Sequence, residues 1–145
     1  METNKDIFVL LGGVGYHVMD DVYKDFPNRV IDCEASESVM IDAAVGLALS
    51  GKIPFVYAIT PHLYRAFEGI RNYLSHEKIS VKLIGCGRNL DYGNLGFSHH
   101  SEDDKAVFGL FPNIISFWPE TKEEIPDIVR RMVEESKPFY LNLRR

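Results

Sequence analysis

The chain has 145 residues, 46% hydrophobic and 12% aromatic, with 16 basic against 21 acidic side chains and a formal charge of -5. That length buries one substantial core and is short for two, so one globular domain over 1–145 is expected. The composition argues against disorder and repeat arrays, and the acidic balance against the basic field of a nucleic-acid-binding surface. The opening METNKD lacks the basic-then-apolar layout of a secretory signal, and no apolar run approaches a membrane span of about 20 residues. A cytoplasmic chain with no membrane partner is the expectation.

The first strand is IFVLL (7 to 11), followed by Gly12, Gly13 and Gly15 in a turn and by helical spacing over 16 to 25. A second strand, RVIDC (29 to 33), precedes a helix over 36 to 50 that Gly51 closes. IPFVYAI (53 to 59) is the third strand, with Pro61 starting a helix over 62 to 75, and ISVKLIG (79 to 85) is the fourth. Next comes GRNLDYGNLGFSHHSEDD (87 to 104), far longer than the two to six residues usual for such connections, running into a helix over 101 to 110. NIISFW (113 to 118), ended by Pro119, a helix over 121 to 135 and PFYLNL (138 to 143) complete the order. Short, continuous apolar strands alternating with amphipathic helices imply a three-layer α/β/α sandwich on a mainly parallel six-stranded sheet, with right-handed crossovers. Cys33 and Cys86 each follow or end a strand and have no neighbour at metal or redox spacing, so both are expected as buried free thiols.

Function concentrates where strands end at the carboxyl edge of such a sheet. GGVG after the first strand lacks the GxGxxG spacing and a P-loop lysine, and Asp32 is an ambiguous ribose partner, so a plain tight turn is preferred to a dinucleotide site. Glu37 opens the helix SESVMIDAAVGLALSGK, with Ser36 as a plausible N-cap. A carboxylate there suits the helix dipole, and a helix so rich in Ala, Gly and Leu is expected to pack deeply and desolvate it. In TPHLYRAFEGIRN, His62, Arg65 and Glu68 recur at helical spacing. Pairing of Arg65 with Glu68 is the plain account, and anion recognition by the guanidinium is the functional one. His99 and His100 match no metal-ligand spacing, and no metal is expected there. Ser101 reads as an N-cap with Asp103 and Asp104 in the first turn, and a histidine meeting substrate is the functional reading.

Taken in order, these segments resemble the pyrimidine-binding domain of thiamine-diphosphate enzymes, the middle domain of transketolases and transketolase-like proteins. ASESVMIDAAVGLALSGKIPFVYAITP is similar to the family's ISEQNMVGIAAGLALSGKIPFVYTFAP, and GFSHHSEDDKAVFGLFPNI to its GPTHQALEDIALMRALPNM. The resemblance covers nearly the whole chain. It implies that Glu37 is the catalytic glutamate that hydrogen-bonds N1' of the cofactor's aminopyrimidine and promotes the imino form that deprotonates thiazolium C2. It also implies that Ile59 and His62 contact the pyrimidine, that His99 meets the donor substrate, and that Arg65 meets an acceptor phosphate, as in deoxyxylulose-phosphate synthases.

Gly13 stands where the family has an aspartate, Ser38 where it has glutamine or histidine, and His62 where an aromatic stacks on the pyrimidine. The GDG-to-Asn motif that holds diphosphate and magnesium is absent. The expectation is therefore a subunit of a split transketolase-like enzyme. It would transfer a ketol unit between sugar phosphates or related sugars, with thiamine diphosphate, and magnesium on a partner chain, in a homo- or hetero-oligomer. A non-catalytic relic that keeps the fold is the alternative. A β-type subunit of a 2-oxo-acid dehydrogenase, or a deoxyxylulose-phosphate-synthase-like chain, is a weaker one.

Overall fold

A computed structural model describes residues 1–145. Strands β1 (Ile7–Leu11), β2 (Val30–Asp32), β3 (Ile53–Ile59), β4 (Lys82–Cys86), β5 (Ile115–Phe117) and β6 (Phe139–Leu143) form one sheet in the order β2-β1-β3-β4-β6-β5. Every pairing is parallel. The four inner strands are nearly continuous apolar runs because helices cover both faces. The two edge strands, each paired on one side only, keep three residues apiece of the longer runs RVIDC and NIISFW.

Helices α1 (Asp20–Asp25), α2 (Glu37–Leu49), α3 (Phe67–Gly69), α4 (Asp104–Gly109) and α5 (Ile125–Glu134) divide between the faces. On one face Met40, Ile41 and Ala44 of α2 pack with Leu63, Ile70, Leu74 and Phe108 against Leu10, Val56, Leu83 and Tyr140. On the other, Ile128 and Met132 of α5 meet Val9, Phe55, Phe139 and Leu141. The three-layer sandwich expected from the sequence is thus observed, with a sheet that is parallel throughout. No helix is long and apolar enough to cross a membrane.

The first helix begins only at Asp20 and the fourth only at Asp104, and β4 starts three residues later than expected, at Lys82. Two helical segments depart further. The helix anticipated over 62 to 75 is 3-10 over Thr60–Ala66, a single α-helical turn at α3, and π-helical over Ile70–His76. Mixed winding of this kind often marks functional sites. Helix α2 is deeply packed on one side only: Val39 and Leu49 are 62% and 73% exposed, so its apolar character continues onto the outer surface.

The carboxyl edge is held by a buried polar knot. Asn142 on β6 donates to Thr60 Oγ1 (3.0 Å) and Tyr140 Oη (3.1 Å), and its own Oδ1 and backbone carbonyl accept from the buried Arg88 guanidinium, both at 2.8 Å. Thr60 and Ser101 hydroxyls both donate to the Gly87 carbonyl, at 3.0 and 2.9 Å. Ser101 is thereby engaged inside the protein and caps nothing. Asp104, expected on a solvated helix start, is instead buried and accepts from Trp118 Nε1 (2.7 Å) and Tyr140 Oη (3.1 Å). Both ends of the loop 87–104 are anchored by these bonds.

Gly85 makes room for the knot: a Cβ there would stand 2.6 Å from Thr60 Oγ1 and 2.9 Å from Tyr140 Oη. Gly85→Ala is expected to destabilise the chain by about 1–3 kcal/mol, the usual cost of overpacking a filled interior. Urea denaturation followed by far-ultraviolet circular dichroism checks this, and an unchanged midpoint would show that the knot tolerates the added methyl.

Candidate functional site

The strand order reverses beside β1, whose neighbours are β2 on one side and β3 on the other, so the carboxyl ends of β1 and β3 flank a topological switch point. Glu37 begins α2 beside it. The residue is 2% exposed, and Arg65 Nη1 donates to its Oε1 at 2.8 Å. His62 Nδ1 lies 3.6 Å from the same oxygen. Glu37 Oε2 is buried with no hydrogen-bond partner in the chain. Leaving a buried acceptor unmatched costs roughly 1–3 kcal/mol, more when charged, which marks this oxygen as a place for an external donor.

The positive end of α2 favours the acid, although Ser36 at the N-cap makes no side-chain capping bond. Ser38 instead donates its hydroxyl to the Arg65 carbonyl at 3.1 Å, tying the start of α2 to the 3-10 segment. Arg65 does not pair with Glu68; it reaches Glu37. The physical reason is dielectric: a desolvated carboxylate attracts a guanidinium more strongly than the exposed carboxylate of Glu68.

His62 and His99 meet edge to face, ring centres 5.1 Å apart, and His99 in turn contacts Tyr92 at 5.9 Å. Ser98 Oγ lies 2.9 Å from His99 Nδ1, a contact that orients the ring. Burial, then the Arg65 guanidinium, pushes the His62 imidazole below its ordinary value; His99 adds to this and Glu37 opposes it. His62 is therefore a neutral flat ring at pH 7, and its contact with Glu37 is not an ion pair. His100 takes no part in this ring contact; its Nε2 lies 3.3 Å from the Gly93 carbonyl.

Four of the residues singled out from the sequence, Glu37, His62, Arg65 and His99, thus form one chain of contacts. Ile59 at the end of β3 adjoins them but lines a different cavity, of about 480 Å³, with Gly13, Tyr16, Tyr57, Cys86 and Tyr92. His62 and Arg65 line a smaller one of about 250 Å³ with Tyr64, Phe97 and His100. Tyr92 went unnoticed in the sequence. Its hydroxyl is 2.8 Å from Cys86 Sγ, and its only sequence signal was an aromatic inside an overlong loop. Both cysteines are free, Cys86 buried and Cys33 only partly so.

Gly13 adopts φ +62°, and its amide donates to Asp32 Oδ1 (3.3 Å), which also accepts from the Glu34 amide (2.9 Å). Asp32 therefore braces the turn at Gly13.

Residues 3–145 match the family described as transketolase, pyrimidine binding domain, and the chain belongs to it. It is 33% identical over 121 residues to one of the subunits of the apulose-4-phosphate transketolase of Actinobacillus succinogenes, covering 83% of this chain and 39% of that protein. It is 31% identical to a putative transketolase C-terminal section of Methanocaldococcus jannaschii, covering 84% and 39% respectively. Among solved structures, a split gene transketolase described as an inactive beta4 tetramer superposes with TM-score 0.84 at 29% identity, covering 99% of this chain and 47% of that one. Campylobacter jejuni transketolase, at 16% identity and TM-score 0.88, shares the fold over 99% of this chain and 23% of its own. The chain thus spans less than half the length of these relatives.

Because the folded chain holds His62 neutral, it binds fewer protons there than the unfolded chain does. The associated stability is present above the ordinary histidine range, about pH 6.5, and is lost as pH falls toward the depressed native value. Between about pH 7 and 5 the melting temperature of the native chain is expected to fall more steeply than that of His62→Phe, which keeps a flat ring without the charge. Differential scanning fluorimetry across that range checks this; parallel curves would mean that His62 titrates as an ordinary histidine.

Proposed function

We propose that this chain is the pyrimidine-binding subunit of a split, thiamine-diphosphate-dependent transketolase. Paired with a chain that supplies the diphosphate and magnesium site, it transfers a ketol unit between sugar phosphates or related sugars. The observation that carries the reading is Glu37: a carboxylate removed from water at a helix N-terminus, one oxygen held by Arg65 and the other unmatched. The residues fit the aminopyrimidine of the cofactor. Glu37 Oε2 would be available to its N1', and the neutral His62 ring offers a flat face; Ile59, expected beside the pyrimidine, lines the neighbouring cavity with Gly13 and Tyr57 instead.

When bound, thiamine diphosphate supplies the electron sink that lets a carbon–carbon bond next to a carbonyl break and re-form. The chain's own part is to hold and move protons and to orient reactants. Glu37 would hold the aminopyrimidine through its unmatched oxygen and would share a proton with the ring nitrogen there. His99, whose Nδ1 is oriented by Ser98 and whose ring is braced by Tyr92 and His62, presents its other nitrogen for a substrate hydroxyl. Arg65 has Nε and Nη2 uncommitted to any protein acceptor and half its surface in solvent, as suits an anionic group on the acceptor.

The names of relatives support the split arrangement: they include one subunit of an apulose-4-phosphate transketolase, and a split gene transketolase whose β chains form an inactive tetramer. By that analogy the chain alone self-associates and is inactive. Exposed Tyr16, Val18, Leu95 and Phe97, the last 87% exposed, supply apolar surface on the loops around the site for a partner to cover.

The test mixes the chain with a diphosphate-binding transketolase subunit, thiamine diphosphate and magnesium, and measures ketol transfer. Transfer is expected only in the mixture. Glu37→Gln, which keeps the shape and removes the acid, is expected to lower it by about 10²-fold or more. Equal rates for the variant would remove Glu37 from the mechanism, and absence of cofactor binding to the mixture, read by calorimetry, would favour the non-catalytic relic.

A further inference from the structure

Arg65 was singled out for its ability to meet a substrate anion, yet its one hydrogen bond to another side chain is to the acid at the centre of the site. We infer that Arg65 is a positioning residue for Glu37: it fixes the carboxylate by its Oε1, so that Oε2 is the oxygen presented to the cofactor, before any sugar arrives. The inference rests on the thiamine-diphosphate reading of the site and extends it by a role for Arg65 that needs no substrate.

Three observations and one rule of carboxylate chemistry carry it. The two oxygens of Glu37 are unlike, one at 2.8 Å from Arg65 Nη1 and one with no partner, although the side chain is almost wholly buried. A carboxylate held at a single oxygen by a guanidinium cannot flip its oxygens without breaking a charge-assisted bond. The other nearby group, His62 Nδ1, is 3.6 Å from Oε1, beyond a good hydrogen bond, and its ring is neutral, so it is a poor substitute anchor. Finally, the Arg65 backbone is itself fastened to α2 by the Ser38 hydroxyl, so the arginine and the acid it holds are tied at both main chain and side chain.

The arrangement also sets the rest of the guanidinium. With Nη1 committed inward and the side chain 52% exposed, Nε and Nη2 are the donors left for a ligand. An anion taken up there would pull on the same planar group that holds Glu37, so substrate binding and cofactor orientation share one residue.

The two roles separate experimentally, because positioning acts without sugar. In the complex with a diphosphate-binding subunit, thiamine diphosphate and magnesium, hydrogen–deuterium exchange at the cofactor's thiazolium C2 is followed by proton NMR after acid quench, with no sugar present. Arg65→Met is expected to slow exchange on the order of tenfold, the lower end of what is lost when groups that orient a reactive centre's ligands are removed. Arg65→Lys, which can still reach Oε1 with a positive charge, is expected to recover most of the rate. In a Glu37→Gln background, Arg65→Met is expected to change the rate by less than about twofold, because a residue that acts through another is silent once that other is gone. Should Arg65→Met fail to fold by circular dichroism, Arg65→Gln takes its place. Exchange unchanged in the arginine variants, with a raised KM for a phosphorylated acceptor, would overturn the inference and leave Arg65 as a substrate contact alone. A native complex in which C2 exchanges no faster than in free thiamine diphosphate would overturn the thiamine-diphosphate reading itself, and this inference with it.

Discussion

The carboxyl edge of this sheet depends on Asn142. It sits on an inner strand with no exposure, where an amide is costly unless every hydrogen bond it can make is made. Thr60, Tyr140, Arg88 and the Gly87 carbonyl answer it, and these partners come from the end of β3, from β6 itself and from the start of the long loop. Such a network is satisfied only when the loop from Gly87 to Asp104 follows one path, so a polar group that would otherwise weaken the core specifies where the loop lies. His99 is carried on that loop and meets His62 as a result.

Above the knot the electrostatics run the opposite way. Glu37 is buried but incompletely matched, with Arg65 and the N-terminus of α2 offsetting part of the cost of desolvation. Asp104 makes the contrast plain. Both are acids near helix starts and both are 2% exposed, yet the Asp104 Oδ2 atom takes two donors from within the protein while Glu37 Oε2 has none. One is committed to structure and the other is held in reserve. Strain of this kind, tolerated by a scaffold firm enough to hold it, is how a binding site differs from the core around it.

The strands and their parallel arrangement were legible because their periodicity is a local property. The edge strands were read too long, since a run such as RVIDC looks alike whether one neighbour or two will pair with it. The spacing over 62 to 75 is that of an ordinary helix, whereas the chain winds as 3-10 and then π turns, with Ser38 of α2 bonded to the Arg65 carbonyl. Ser101 and Asp104 looked like a solvated cap, and only the knot beneath them shows why they are turned inward. Glu68, three residues on, is the acid nearest to Arg65 in the sequence, and a more distant but desolvated partner prevails.

By itself the sequence determined the class of fold, the position of the acid at the head of α2 and the family to which the chain belongs, because these rest on periodicity, helix-end chemistry and the order of short motifs. What only the tertiary structure decided is which groups share a space. Glu37 and Arg65 are 28 residues apart, and His62 lies on the 3-10 segment after β3 and His99 on the long loop, so their contacts follow from the crossing of α2, that segment and the anchored loop. The unmatched oxygen of Glu37 belongs to the same class of fact. Burial and hydrogen-bond satisfaction are properties of a packed volume, and no window of the chain contains that volume.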